Sequence, residues 1–206
     1  MDKFFDAENP LMKFLARLVD LAILNVITLV YSIPVVTFGG AMTAMNYVLL
    51  HLVREDESYV IQMFRKSFRE NFRQGISEGL LVLVVAAVTA VDMWLVHGSE
   101  SRLATFIMIV ITIIAVFLFV TGIYMFALQS RYENRVIDTI LNAFRLAVGN
   151  LPITAGMAAI WLLWAAALAF IGSGAAVVFL FFGLSLPGYL CAMLYDKIFE
   201  KLEKEQ

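Results

Sequence analysis

The sequence predicts an all-α, polytopic integral membrane helix bundle of six transmembrane helices, or five, with two cytoplasmic amphipathic helices. Three observations carry this. Of 206 residues, 62% are hydrophobic and 16% are charged, whereas a soluble domain averages about 45–50% apolar and about 25% charged. The apolar residues gather in runs near the ~20 residues that one bilayer crossing needs. The links between runs are short, or are mixed-charge segments whose apolar residues recur at helical spacing. A soluble chain this small needs much of its surface to be polar, and a mean hydropathy of +0.86 argues against that.

Residues 1–10 read as a polar lead. Its opening, with Asp2, Lys3, Asp6 and Glu8, does not read as a cleaved signal peptide. Asn9 suits an N-cap and Pro10 the first helical position, so a helix is expected over 11–33. Lys13 and Arg17 lie one turn apart and can lift their charges to the headgroups. Asp20 and Asn25 interrupt the run before Tyr31. Pro34, Gly39 and Gly40 are expected to break it. Residues 41–53 resume it, with Asn46 and His51 as interruptions. The 36 residues from Leu18 to Val53 allow two tight crossings, or one crossing followed by a re-entrant or interfacial helix.

Arg54 to Glu57 read as a charged turn. From Tyr59 to Gly75, Val60, Met63, Phe64, Phe68 and Phe72 fall mostly three or four apart, while Arg65, Lys66, Arg69, Glu70 and Arg73 crowd the other side. This is a basic amphipathic helix of the kind that lies at a membrane surface. Residues 76–96 are a transmembrane run with Glu78 at its start and Asp92 near its end. After a polar link over 97–102, the run 103–128 has 26 residues, so tilt or an extension beyond the membrane is expected. Residues 129–150 are a second amphipathic segment, mixing Arg131, Glu133, Arg135, Asp138, Asn142 and Arg145 with Tyr132, Val136, Ile137, Ile140, Leu141 and Phe144. Two further crossings, 151–171 and 173–195, are joined by a tight turn at Ile171 to Gly174. Pro187-Gly188 is expected to kink the second.

The whole chain, 1–206, reads as a single membrane domain. A weak internal repeat over about 37–96 and 113–171 rests on Val60-Ile61 and Phe68-Arg69 recurring as Val136-Ile137 and Phe144-Arg145 at an offset of 76 residues. Shared constraints on surface helices, or chance, account for four matches about as well. Lys and Arg set the orientation. With six crossings, 14 of them fall on the inner side and one outside. With five, the division is 11 to four. Both place the amphipathic helices and the C-terminus in the cytoplasm, and the six-crossing form, with a cytoplasmic N-terminus as well, fits the bias better.

Chemistry is sparse. A net charge of −2 predicts no nucleic-acid partner. The lone Cys191 permits no disulfide or Cys-based metal site within one chain. His51 and His97 sit in different links, and no paired-His, Walker or nucleophile-elbow motif is present. No catalytic centre, metal or cofactor is expected. Asp20, Asn25 and Asn46 form a candidate intramembrane polar site, since an ionisable group in a membrane helix is a functional candidate by default. The competing reading pairs Asp20 with Arg17 at the interface. Glu78 is expected to pair within its own turn of helix, near Arg73 and Gln74. Gly75 and Gly79 permit close helix packing. Arg65, Lys66, Arg69 and Arg73, with Arg135 and Arg145, form a candidate surface for lipid headgroups or a protein partner. Each cation near an anionic leaflet contributes about 1 kcal/mol, but Glu55, Asp56, Glu57 and Glu70 weaken that attraction.

Particular stretches resemble a known family. They are Asn9-Pro10-Leu11, Ser32-Ile33-Pro34-Val35-Val36-Thr37, Gly40-Ala41, Leu52-Val53-Arg54-Glu55 and the run from Phe64 to Gln74. Asn142-Ala143 and Asn150-Leu151-Pro152 also fit. Together they resemble the YesL-like bacterial membrane proteins, a family of unknown function. The resemblance implies a multi-pass protein of the bacterial plasma membrane. Family members are often encoded beside carbohydrate uptake transporters, sugar-degrading enzymes and two-component regulators. That implies a non-enzymatic accessory or regulatory role in carbohydrate uptake or sensing, with a membrane permease or sensor as partner besides the lipids. The other reading is a small solute transporter or channel, motivated by Asp20, Asn25 and Asn46 near a Pro/Gly break.

Overall fold

The computed structural model describes residues 10–54, 59–96, 101–132 and 135–204. The expected Asn9 cap, the acids Glu55 to Glu57, His97 and Glu133 lie outside them. The described residues fold into α1 (Pro10–Ser32), α2 (Phe38–Val53), α3 (Val60–Glu70), α4 (Phe72–Val96), α5 (Arg102–Gln129), α6 (Val136–Gly149), α7 (Leu151–Ile171), α8 (Ala175–Phe182) and α9 (Ser185–Lys204). Short 3-10 turns, Val35–Thr37 and Gly172–Gly174, precede α2 and α8. The protein is an all-α membrane-spanning bundle. Among the described residues, five segments are long and apolar enough to cross a bilayer: Leu11–Ser32, Val35–Val53, Phe72–Val96, Arg102–Gln129 and Leu151–Phe182.

The helix α2 is the centre. Twelve of its 16 residues are buried, whereas α4 and α7 turn most of their apolar side chains outward, as lipid-facing helices do. Gly39 and Gly40 do not break the chain, as the sequence suggested. The break lies at Ile33-Pro34, and both glycines sit inside α2. Their role is steric. A Cβ on Gly39 would run into the Gly75 carbonyl and lie 2.6 Å from the Gly79 Cα. A Cβ on Gly75 would lie 2.6 Å from the Gly40 Cα. The backbones of α2 and α4 therefore touch at a crossing with glycine on both sides.

The amphipathic segment 59–75 is not one helix. It ends at Asn71, whose Nδ2 donates to the Ser67 carbonyl at 3.0 Å, and α4 starts at once from Phe72. α3 runs back along α2, with Val60, Phe64 and Ser67 buried against the bundle. Tyr31, at the end of α1, meets the rings of Phe64 and Phe68 edge-on at 5.3 and 4.7 Å. α6 folds back along α5 in the same manner and buries a narrow stripe of Thr139, Ala143 and Ala147.

After α7 the chain reverses at Gly172, whose φ of +66° a side chain would disfavour. Trp164 Nε1 donates to the Gly183 carbonyl at 3.1 Å, and a Cβ on Gly156 would lie 3.5 Å from Leu194. α8 and α9 therefore run antiparallel beside α7. The expected kink at Pro187-Gly188 falls earlier, at Gly183-Leu184. Pro187 lies in the first turn of α9, where a helix tolerates a residue without an N–H. The carbonyl such a donor would have met, that of Gly183, is the one Trp164 takes.

The glycine crossing is testable by thermal unfolding in detergent. Gly39→Ala should destabilise by about 1–3 kcal/mol, because backbones must separate to admit a methyl group. Gly149→Ala, with nothing within 4 Å of its Cβ, should be neutral or better.

Candidate functional site

Three polar constructions stand out against the apolar bundle. The first joins the C-terminal ends of α2, α5 and α9. Arg54, which caps α2, places Nε 2.9 Å and Nη2 2.7 Å from Asp196 Oδ1, and Asp196 is buried. Glu203 lies 3.8 Å from Arg54 and pairs with Arg131. Partial burial works against the Arg54 charge. Asp196, with Glu203 and Glu200 near, more than offsets this and raises its pKa above the ordinary arginine value. The Arg131 guanidinium also lies over Tyr132 and Phe199, 6.0 Å from each ring centre.

The second is a polar column on the α3–α4 corner. Asn71 Oδ1 accepts from Gln129 Nε2 at 3.2 Å, and Thr139 Oγ1 donates to Gln129 Oε1 at 3.5 Å, which links α3, α5 and α6. Two turns further along α4, Glu78 is fully buried. Gln74, one turn earlier, bears on its carboxyl, and neither oxygen has a well-formed hydrogen bond among the described residues. Arg73, a partner the sequence offered, is exposed. The expected pairing of Glu78 within its own turn of helix is met on the side of Gln74, whereas its full burial is not what the start of an apolar run predicts. The available signal was its position between Gly75 and Gly79, which bring α2 down over it.

The third holds the break between α8 and α9. Asn25 is fully buried. Its Nδ2 donates to the carbonyls of Phe179 and Leu180 at 2.9 and 2.8 Å, and its Oδ1 accepts from the amides of Leu184 and Ser185 at 2.7 and 2.9 Å. One side chain thus serves both the end of α8 and the start of α9, where backbone groups lose their helical partners.

The structure does not bring Asp20, Asn25 and Asn46 into one polar site. Asn25 is taken up by the α8–α9 break. Asn46 Nδ2 donates to the Met42 carbonyl at 2.8 Å, and its Oδ1 accepts from Tyr195 Oη at 2.9 Å. Asp20 is half-buried and interacts with the charge of Arg17, while Arg17 lies 5.9 Å from the centre of the Tyr189 ring. Neither of the two cavities described next is lined by any of the three.

The larger cavity, of about 470 Å³, lies among α4, α5 and α6 and is almost wholly apolar, with Val85, Ala86, Met93, Phe119, Gly122 and Phe144 in its wall. The smaller, about 230 Å³, lies between α7 and α9. No cluster of three or more His, Cys, Asp or Glu suited to a metal occurs among the described residues.

The cationic surface resolves into two faces. Arg65, Lys66, Arg69 and Arg73 are all exposed along one ridge that continues from α3 into α4, and none forms a salt bridge among the described residues. Arg135, at the N-cap of α6, and Arg145 on it are also exposed. They share the outside of their helix with an apolar stripe of Ile137, Leu141, Phe144 and Val148.

The Asn25 clamp predicts that Asn25→Ala lowers thermal stability in detergent by about 1–3 kcal/mol, since four backbone groups lose partners. Asn25→Asp should not rescue it, because a carboxylate cannot donate to the Phe179 and Leu180 carbonyls.

Comparison with curated proteins and with solved structures finds no match. Residues 21–93, from within α1 to near the end of α4, match the family described as "Protein of unknown function, DUF624". The stretch contains the glycine crossing, Glu78, Asn25 and the α3 ridge, and through it the chain matches DUF624 in agreement with its resemblance to the YesL-like membrane proteins.

Proposed function

We propose that this is a non-enzymatic accessory or regulatory protein of the bacterial plasma membrane, which docks an acidic surface of a membrane permease or sensor against α3. One observation carries the reading. α3 uses its apolar face, Val60 and Phe64, within its own bundle and turns Arg65, Lys66, Arg69 and Arg73 outward as a ridge. A helix that rests on lipid keeps an apolar side for the acyl chains. On α3 Val60 and Phe64 are taken by the bundle and Ile61 alone of its large apolar side chains is exposed, so its outward chemistry, mostly cationic, suits an acidic protein surface. The link to carbohydrate uptake or sensing rests on the family resemblance alone.

The topology that goes with this reading has six crossings, made by α1, α2, α4, α5, α7 and the α8–α9 pair, with both termini and the ridge in the cytoplasm. The division of Lys and Arg supports it, as does the antiparallel run of α8 and α9 beside α7. The matching return of α3 along α2 and of α6 along α5 supports a repeat over 37–96 and 113–171.

Reversing charge in a combined Arg65→Glu, Lys66→Glu and Arg69→Glu variant should leave stability within about 0.5 kcal/mol, as exposed positions usually do. It should abolish recovery of the partner when the protein is purified from native membranes at native expression. Absence of any reproducible partner, or equal recovery with the variant, sinks the reading. Reporter fusions at residues 2, 140 and 206 should report cytoplasm and one at 100 the exterior. An external result at 2 removes the six-crossing form.

A second reading, small-solute transport, is favoured by Glu78, since a fully buried carboxyl in a spanning helix is the usual mark of a proton or ion path. In vesicles loaded with a pH-sensitive dye it requires a proton flux above that of empty vesicles which Glu78→Gln abolishes.

A further inference from the structure

We propose that the cavity among α4, α5 and α6 is a binding site for one acyl chain of an anionic phospholipid, whose phosphate is held by Arg145. The wall comes from spanning helices. On α4 it runs from Leu81 to Met93, a rise of about 18 Å at about 1.5 Å per residue. This is shorter than the ~30 Å hydrocarbon thickness, so the groove lies within the apolar layer and offers room for one extended chain. Its volume of about 470 Å³ falls within the ~300–1,000 Å³ of ordinary ligand pockets.

The lining selects for hydrocarbon. Its hydroxyls belong to Thr89 and Thr121. Thr89 donates to the Val85 carbonyl at 2.9 Å and Thr121 to the Phe117 carbonyl at 2.9 Å, so both face back to their own helix. Nothing in the wall rewards a polar ligand, and an acyl chain there leaves no buried polar group unpaired.

α6 says which molecule the chain belongs to. Ile140, Ala143 and Phe144 close one side of the groove. Phe144 is also exposed, at the cavity mouth, and lies in the outward stripe with Ile137, Leu141 and Val148. A helix with one face on the bundle, one apolar face outward and a polar edge of Asp138, Asn142 and Arg145 sits at the boundary between acyl chains and headgroups. Arg145 directly follows the cavity residue Phe144, is exposed, and makes no salt bridge among the described residues. Its planar donor fork matches a phosphodiester, and half-exposed Asn142, three residues earlier, offers an amide beside it.

The test uses the full chain in nanodiscs of phosphatidylcholine and phosphatidylglycerol. Retained lipid is counted by native mass spectrometry after transfer to detergent. Wild type should keep one phosphatidylglycerol per chain. Ala86→Trp, which fills the groove, should cut retention about tenfold, the effect of losing about 1.4 kcal/mol of binding. Should that variant fail to fold, Gly122→Leu serves, since a Cβ there meets only Val82 at 3.7 Å. Arg145→Gln should still retain a lipid but lose its preference for phosphatidylglycerol about fivefold, in keeping with about 1 kcal/mol per cation. Leu95→Trp, exposed and outside the groove, should change neither quantity. Wild type without retained lipid, or undiminished retention in the filled variants, overturns the proposal. So does a dimer that the filled variants dissociate, since the occupant is then a second copy.

Discussion

Everything else in the fold is arranged around the place where α2 and α4 touch without side chains between them. Membrane helices gain nothing from the hydrophobic effect on leaving lipid for protein, so close backbone contact and polar groups hold them together. Gly39 and Gly40 meeting Gly75 and Gly79 provide that contact. It draws α4 onto a helix that is already enclosed by α1, α3 and α9. Glu78 follows from it, because a carboxyl on the face between those two glycines is sealed in when α2 arrives. So does the corner at Asn71, since α3 must stop where α4 turns to meet the glycines.

Polar side chains do the complementary work at the places where the helices are interrupted. Asn25 reaches across from α1 to satisfy both ends of the α8–α9 break, and Trp164 takes the carbonyl that Pro187 leaves free. Hydrocarbon offers no water to fill these gaps, so an interrupted helix in a membrane needs such partners from its neighbours. The residues that looked most like a solute site, Asn25 and Asn46, are both engaged with the scaffold in this way.

How much of this was legible in the sequence follows from the range of each interaction. The membrane class, the apolar segments, the two amphipathic helices and the reversal near Gly172 depend on composition and local periodicity, and they could be read directly. Gly39 and Gly40 were read as breakers because a glycine pair after a proline looks like a turn. Their function depends on glycines 35 residues or more along the chain, which periodicity cannot connect. Asn25 was recognised as unusual, but its partners lie more than 150 residues away. The pairing of Glu78 with Gln74 is local and legible, but its burial comes from another helix, α2.

The two amphipathic helices show why sequence alike in pattern can differ in role. α3 and α6 occupy corresponding places, each folded back along the helix before it. α3 buries Val60 and Phe64 and leaves only Ile61 exposed among its large apolar side chains, so its outside is mostly charged. α6 buries only Thr139, Ala143 and Ala147, so the small residues meet the bundle while Ile137, Leu141, Phe144 and Val148 remain outward. The size of the side chains on the packed face, rather than the count of charges on the other, decides how much apolar surface each helix leaves outward. On that contrast rest the two proposals, a protein partner for the ridge of α3 and an acyl chain for the groove that α6 closes against α4 and α5.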